Sequence, residues 1–155
     1  MAESELTPDS LPPDEGQEIH RIRIVALLTD DADRHLLAGL AAKMRWSVEF
    51  AGTLGEARGL LQQRKTPIVL YDRDLPATNW REAMHLLSST PTPVYTILLS
   101  RVADDYLWAE VMRRGGHDLI STPLRMEDTV RAIRLAWSFW SNSMRVPPMV
   151  VKHGR

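Results

Sequence analysis

The chain has 155 residues, one domain's worth, and a chain of that length buries roughly two thirds of the surface its unfolded form exposes. With 44% hydrophobic and 25% charged residues, and no apolar run approaching the roughly 20 residues of a membrane span, the sequence reads as a soluble globular protein rather than a disordered, fibrous or membrane one. Zero cysteines exclude disulfides, thiolate zinc sites, iron–sulfur clusters and cysteine nucleophiles, and a formal net charge of −1 offers no electrostatic case for nucleic acid.

The near-neutral sum conceals an asymmetry. Glu3, Glu5, Asp9, Asp14, Glu15 and Glu18 all precede the first basic residue, Arg21. This head also holds Pro8, Pro12 and Pro13 and few large apolar residues, so residues 1–19 read as a disordered acidic tail. It has neither a basic n-region nor an apolar h-region, which makes a cytoplasmic location the expectation.

Five strand and helix pairs follow. Ile22 to Leu28 is a β-branched and leucine run, as expected of a strand buried on both faces. From Asp31 to Met44 the residues Leu36, Leu37, Leu40, Ala41 and Met44 share one helical face. Trp46 to Ala51 reads as a second strand, and Thr53 with Glu56 has capping-box spacing before a helix that ends near Gln63. A third strand, Ile68 to Tyr71, stops at Asp72 and precedes a helix over residues 79–88. A strand from Val94 to Leu99 and a helix from Val102 to Arg113 come next, then a strand from His117 to Ser121 and a helix from Arg125 to Trp140. Strict alternation with short connections implies an α/β fold: a doubly wound, five-stranded parallel sheet with helices on both faces. The expected organisation is an acidic tail over 1–19, one domain over 20–141 and a C-terminal tail over 142–155.

Sites on such sheets lie beyond the carboxyl ends of the strands, near the point where strand order reverses. The residues there are Thr29, Asp30 and Asp31 after the first strand, Asp72 after the third, Ser100 after the fourth, and Thr122 with Pro123 after the fifth. Carboxylates and a hydroxyl meeting on one edge suit a hard cation and an acyl phosphate.

The run P-I-V-L-Y-D-R-D-L-P at 67–76, I-L-L-S ending at Ser100, and G-G-H-D-L-I-S-T-P at 115–123 together resemble the receiver domains of bacterial two-component response regulators. The likeness spans about Ile22 to Trp140, and the spacings of 28 from Asp72 to Ser100 and 22 from Ser100 to Thr122 suit that family. The resemblance implies a flavodoxin-like fold and a signalling module that is not an enzyme. Asp72 would be the phosphoacceptor and Ser100 the phosphate switch. Mg²⁺ would be held by Asp30, Asp72 and the backbone carbonyl of Asp74. It further implies a histidine kinase or phosphotransfer protein as donor, a downstream protein partner, and a cis Thr122–Pro123 bond.

The sequence also departs from the family. Thr122 replaces the lysine expected before Pro123 and brings no cation, with Arg73, Arg101 and Arg125 as the nearby candidates to supply one. Leu28 and Thr29 align with the acid pair that holds the metal, leaving Asp30 and Asp31 one or two residues late and suited to helix capping. Leu119 stands where an aromatic residue is common. Two readings therefore stand: a phosphorelay receiver, or a degenerate receiver that acts as a phosphorylation-independent interaction module.

No histidine pair with metal-binding spacing, nucleotide-binding glycine motif or nucleophilic serine motif is present. Asp104 and Asp105 read as the start and cap of the next helix. Trp108, Leu119, Trp137 and Trp140 mark the expected partner surface, a homodimer interface in the simplest case, against the plainer reading that they close the core.

Overall fold

In the computed structural model, residues 21–145 are described, so the acidic tail and the last ten residues lie outside them. The elements are β1 (Arg23–Leu27), α1 (Asp31–Met44), β2 (Ser47–Phe50), α2 (Leu54–Gln63), β3 (Ile68–Asp72), α3 (Trp80–Ser88), β4 (Tyr95–Ser100), α4 (Asp105–Arg113), β5 (Asp118–Ser121) and α5 (Met126–Arg145). All five strands are parallel in the order β2-β1-β3-β4-β5, the doubly wound sheet expected from the alternation.

Successive side chains of a strand face opposite sides of a sheet, and the buried residues divide accordingly. Ile24, Ala26, Leu28, Ile68, Leu70, Ile97 and Leu99 meet Leu37 and Leu40 of α1 and Ala132, Ile133 and Ala136 of α5. Val25, Leu27, Val69, Tyr71 and Leu98 meet Ala57 and Leu61 of α2, Ala83, Met84 and Leu87 of α3, and Leu107 and Val111 of α4. Every residue of β3 is buried, and burying each of its large apolar side chains stabilises the fold by about 1.5–3 kcal/mol. That rigidity fixes the position of the strand's last residue, Asp72.

Helix starts follow the short polar residues. Asp30, Thr53, Asn79 and Asp104 each accept an N–H of the first turn of α1, α2, α3 and α4, at 3.1, 3.1, 2.9 and 2.9 Å. At α2 the Glu56 carboxylate also takes the Gly52 N–H at 2.7 Å. Because Asp104 is the cap, α4 begins at Asp105 rather than at Val102. The last helix runs to Arg145 rather than Trp140, so residues 142–145 are helical and not the start of a tail. Among the described residues no helix is long and apolar enough to cross a membrane.

Candidate functional site around Asp72

Adjacent strands β1 and β3 are where the chain order reverses, and their carboxyl ends bring Thr29 beside Asp72. The Asp72 carboxylate is buried, and its hydrogen bonds come from its own chain. Oδ2 accepts the Thr29 hydroxyl at 2.7 Å and the Thr29 N–H at 3.3 Å, and Oδ1 accepts the Asp74 N–H at 2.9 Å. An ionised carboxylate has about four lone-pair sites, so three are engaged by neutral donors.

Ser100 ends β4 on the same edge and is also buried. Its hydroxyl oxygen accepts the Val102 N–H at 3.2 Å and Arg73 Nη1 at 3.4 Å. Arg73 is thus the guanidinium that reaches the site, while Arg101 and Arg125 are exposed. Thr122 closes the edge: its N–H bonds the Ser100 carbonyl at 3.0 Å, and its bond to Pro123 is cis, as expected.

The two expected carboxylate ligands, Asp30 and Asp72, have different partners. Asp30 turns its carboxylate onto the Asp33 N–H as the cap of α1, and Asp31 is exposed and paired with Arg34 at 3.1 Å. Asp33 is buried, but it accepts the Leu124 N–H at 2.9 Å on the far side of the loop. Asp74 is exposed, and its N–H donates to Asp72 Oδ1. Among the described residues no group of three or more histidine or acidic side chains could hold a metal ion. Mg²⁺ prefers an octahedron of oxygen ligands, and three of the roughly four lone-pair sites of Asp72 are already engaged by donors. The side chain beside Asp72 is Thr29, whose hydroxyl donates to Oδ2, while the Asp30 carboxylate caps α1.

Two arrangements at this end of the sheet carry no motif in the sequence. The Asp33–Leu124 bond joins residues 91 apart and ties the first turn of α1 to the loop after Pro123. Beside the site, the buried Trp80 ring has Arg73 over it at 5.9 Å and Arg81 at 4.6 Å. Arg81 in turn grips Glu110 of α4 with two nitrogens, and Arg114 reaches the same carboxylate at 3.3 Å. The Arg81 hydrogen bond chiefly holds the Glu110 carboxyl below its ordinary range, despite partial desolvation. Only Arg114 sits at helical i,i+4 spacing from Glu110, so the link to α3 was not legible from spacing.

Of the expected partner surface, Trp108 is 49% exposed, whereas Leu119, Trp137 and Trp140 are half-buried. The Trp137 and Trp140 rings lie 5.0 Å apart, and Phe139, 52% exposed, stacks with Tyr95 at 6.5 Å. These aromatics are therefore not wholly enclosed.

No protein-family model matches the sequence, and no curated protein matches it either. Solved structures do. The signal receiver domain of an HD domain-containing protein from Pseudomonas fluorescens superposes with a TM-score of 0.73 at 20% identity, over 82% of this chain and 94% of that one. A putative response regulator from Chloroflexus aurantiacus gives 0.69 at 14% identity, over 76% and 98%. The receiver domain of a Saccharomyces cerevisiae response regulator, solved with its histidine phosphotransfer protein, gives 0.64 at 16% identity, over 73% and 86%. With five parallel strands in the same doubly wound order, this chain has the flavodoxin-like fold of response-regulator receiver domains.

Proposed function

We propose that this chain is a degenerate receiver: a cytoplasmic signalling module, not an enzyme, that works by protein contact without phosphorylation of Asp72. The observation that carries this reading is the closure of the Asp72 carboxylate by Thr29 and Asp74. To accept a phosphoryl group, a carboxylate oxygen must attack phosphorus while cations screen the incoming charge. Here the two hydrogen bonds on Oδ2 lower its nucleophilicity, the acids that would hold Mg²⁺ are turned elsewhere, and Thr122 contributes no charge. Arg73 is the remaining cation, and it engages Ser100 and Trp80.

The rival reading keeps Asp72 as phosphoacceptor, Ser100 as switch and a histidine kinase or phosphotransfer protein as donor. Intact-mass measurement after incubation with acetyl phosphate and Mg²⁺ separates the two. The expected result is the unmodified mass; a phosphate adduct that disappears in Asp72→Asn restores the rival.

The working unit in this proposal is residues 20–141 extended to the end of α5. Its partner surface is the face of α4, β5 and α5 carrying Trp108, Leu119, Trp137, Trp140 and Phe139. Half-exposed tryptophans favour such a role because they bury a large area at little rotamer cost. One similar solved structure is a receiver-domain dimer, which supports a second copy as the first partner to test. Trp108→Ala is expected to weaken self-association about 30-fold in sedimentation, the effect of a 2 kcal/mol hot spot, without loss of folding.

A further inference from the structure

The helices on the α2, α3 and α4 face leave a cleft of about 750 Å³ between α3 and the end of α4. It is lined by Arg81, His85 and Ser88 from α3 and by Arg113, Arg114 and Gly115 where α4 ends. The backbone is built for this close approach, since Gly115 has φ of +95° and a Cβ there would lie 2.8 Å from Ser88. Glu82 also lines the cleft, and Glu110 binds Arg81 and Arg114 from beneath. Three guanidiniums against two carboxylates leave a net positive charge of one, before any charge on His85. Arg113 is exposed and makes no ion pair among the described residues. A basic residue in a last helical turn complements the helix dipole, but Arg81 sits in the first turn of α3, where that account does not apply.

The complementary charge lies on the same chain. The first 20 residues hold six carboxylates and no lysine or arginine. They join the fold at Arg21, at the amino-terminal edge of the sheet where β1 begins. Helices between parallel strands run back toward that edge, so Ser88 and Arg113 to Gly115, at the carboxyl ends of α3 and α4, form the end of the cleft nearest it, while Asn79, Arg81 and Glu82 line the far end. From β1 to β4 is two strand spacings, about 10 Å, with the helix layer beyond. Asp14 and Glu15 stand seven and six residues before Arg21, a reach of roughly 20–25 Å when extended, which spans that distance.

We propose that the α3–α4 cleft is a carboxylate-binding site and that its occupant is the chain's own acidic head, with Asp14 and Glu15 facing Arg113 and Arg114. Tethering supplies an effective concentration on the order of millimolar, so a contact too weak to hold a separate peptide is populated here. A partner using this face must displace the head or bring a denser acidic segment. This inference does not depend on whether Asp72 is phosphorylated.

The absence of cysteine allows a direct test on the full chain: Ser10→Cys carries a single nitroxide label, and paramagnetic broadening is read at every backbone amide. The expected result is broadening several-fold stronger at Ser88 and at Arg113 to Gly116 than along α5. It should fall to background at about 0.5 M salt, where the screening length is only a few ångströms. It should also fall in Arg113→Glu, whose amide spectrum reports that the fold is kept. Even broadening over the surface, broadening centred on Arg131 and Arg134, or no change in Arg113→Glu would overturn the assignment. Broadening that appears only between labelled and unlabelled copies would overturn the intramolecular occupant.

Discussion

The Thr29 hydroxyl donates to Asp72 at 2.7 Å across the junction of β1 and β3, and its N–H supports the same oxygen at 3.3 Å. Thr29→Val removes the hydroxyl and leaves a buried carboxylate oxygen one donor short, a loss of about 1–2 kcal/mol in urea unfolding. Thr29→Asp tests the chemistry as well as the stability. Two adjoining carboxylates repel, so this variant should be less stable than the parent without divalent cations. Mg²⁺ should then stabilise it, by about 2.7 kcal/mol at a hundredfold excess over its dissociation constant, and leave the parent unchanged. Equal Mg²⁺ responses in both chains would contradict this account of the site.

Asp33 bears on the opposite side of the same loop. Asp33→Ala strands the Leu124 N–H in a buried position and should cost about 1–3 kcal/mol, or roughly 3–8 °C in Tm. Asp33→Asn keeps an acceptor oxygen and should lose less than half as much. If the two variants melt together, the bond is not what holds the loop to α1.

A pH dependence follows from His117. Its ring lies 4.2 Å from that of Tyr95, and its Nδ1 accepts the Thr96 N–H at 3.2 Å. Desolvation of the ring against this neighbour holds its pKa below the ordinary value of 6.5, although the residue keeps a solvent-exposed edge. The unfolded chain therefore binds the proton more readily. The stabilisation is complete above the unfolded pKa and is lost as pH falls through 6.5 toward the lower folded value. Measured between pH 7 and 5, the stability of the parent should decline more steeply than that of His117→Phe, which keeps a ring on Tyr95 and cannot titrate.

Tyr71 gives a prediction of the opposite sign. It is fully buried in β3, its phenol oxygen makes no hydrogen bond of normal geometry, and burial pushes its pKa up against the weaker opposing pull of the nearby Thr78 hydroxyl. Tyr71→Phe conserves the ring and deletes an unsatisfied polar atom, so it should be neutral or stabilising by up to about 1 kcal/mol. A destabilised variant would reveal a partner for that hydroxyl.

What the sequence made legible is set by periodicity. The apolar run from Ile68 to Tyr71 ends at Asp72, and in a fully buried strand the first polar residue marks the sheet edge. Ser100 follows by the same logic, whereas Thr122 comes after a partly exposed border strand that already ends in Ser121 and is marked by the proline behind it. The run Thr29, Asp30, Asp31 is different, because it lies between strand and helix and neither period governs it. Backbone torsions decide there: Asp30, at φ −103° and ψ 131°, is the extended residue that starts α1, so its carboxylate goes to the helix and Thr29 goes to Asp72. The pairing of Arg81 with Glu110 spans 29 residues between two helices, and no local spacing encodes it.

The sheet's two borders are also unlike its centre. Both border strands, β2 and β5, have only four residues, against five or six in the three between them. One carries Glu49, bound to Arg64 at 3.2 Å, and the other opens on Asp118, whose carboxylate takes the Leu119 N–H at 2.7 Å. Short, charged margins give a neighbouring chain little free backbone to add a strand to, which blunts fibre-like growth. Copies of this molecule that meet in a crowded cell are thereby directed to meet through helices and side chains.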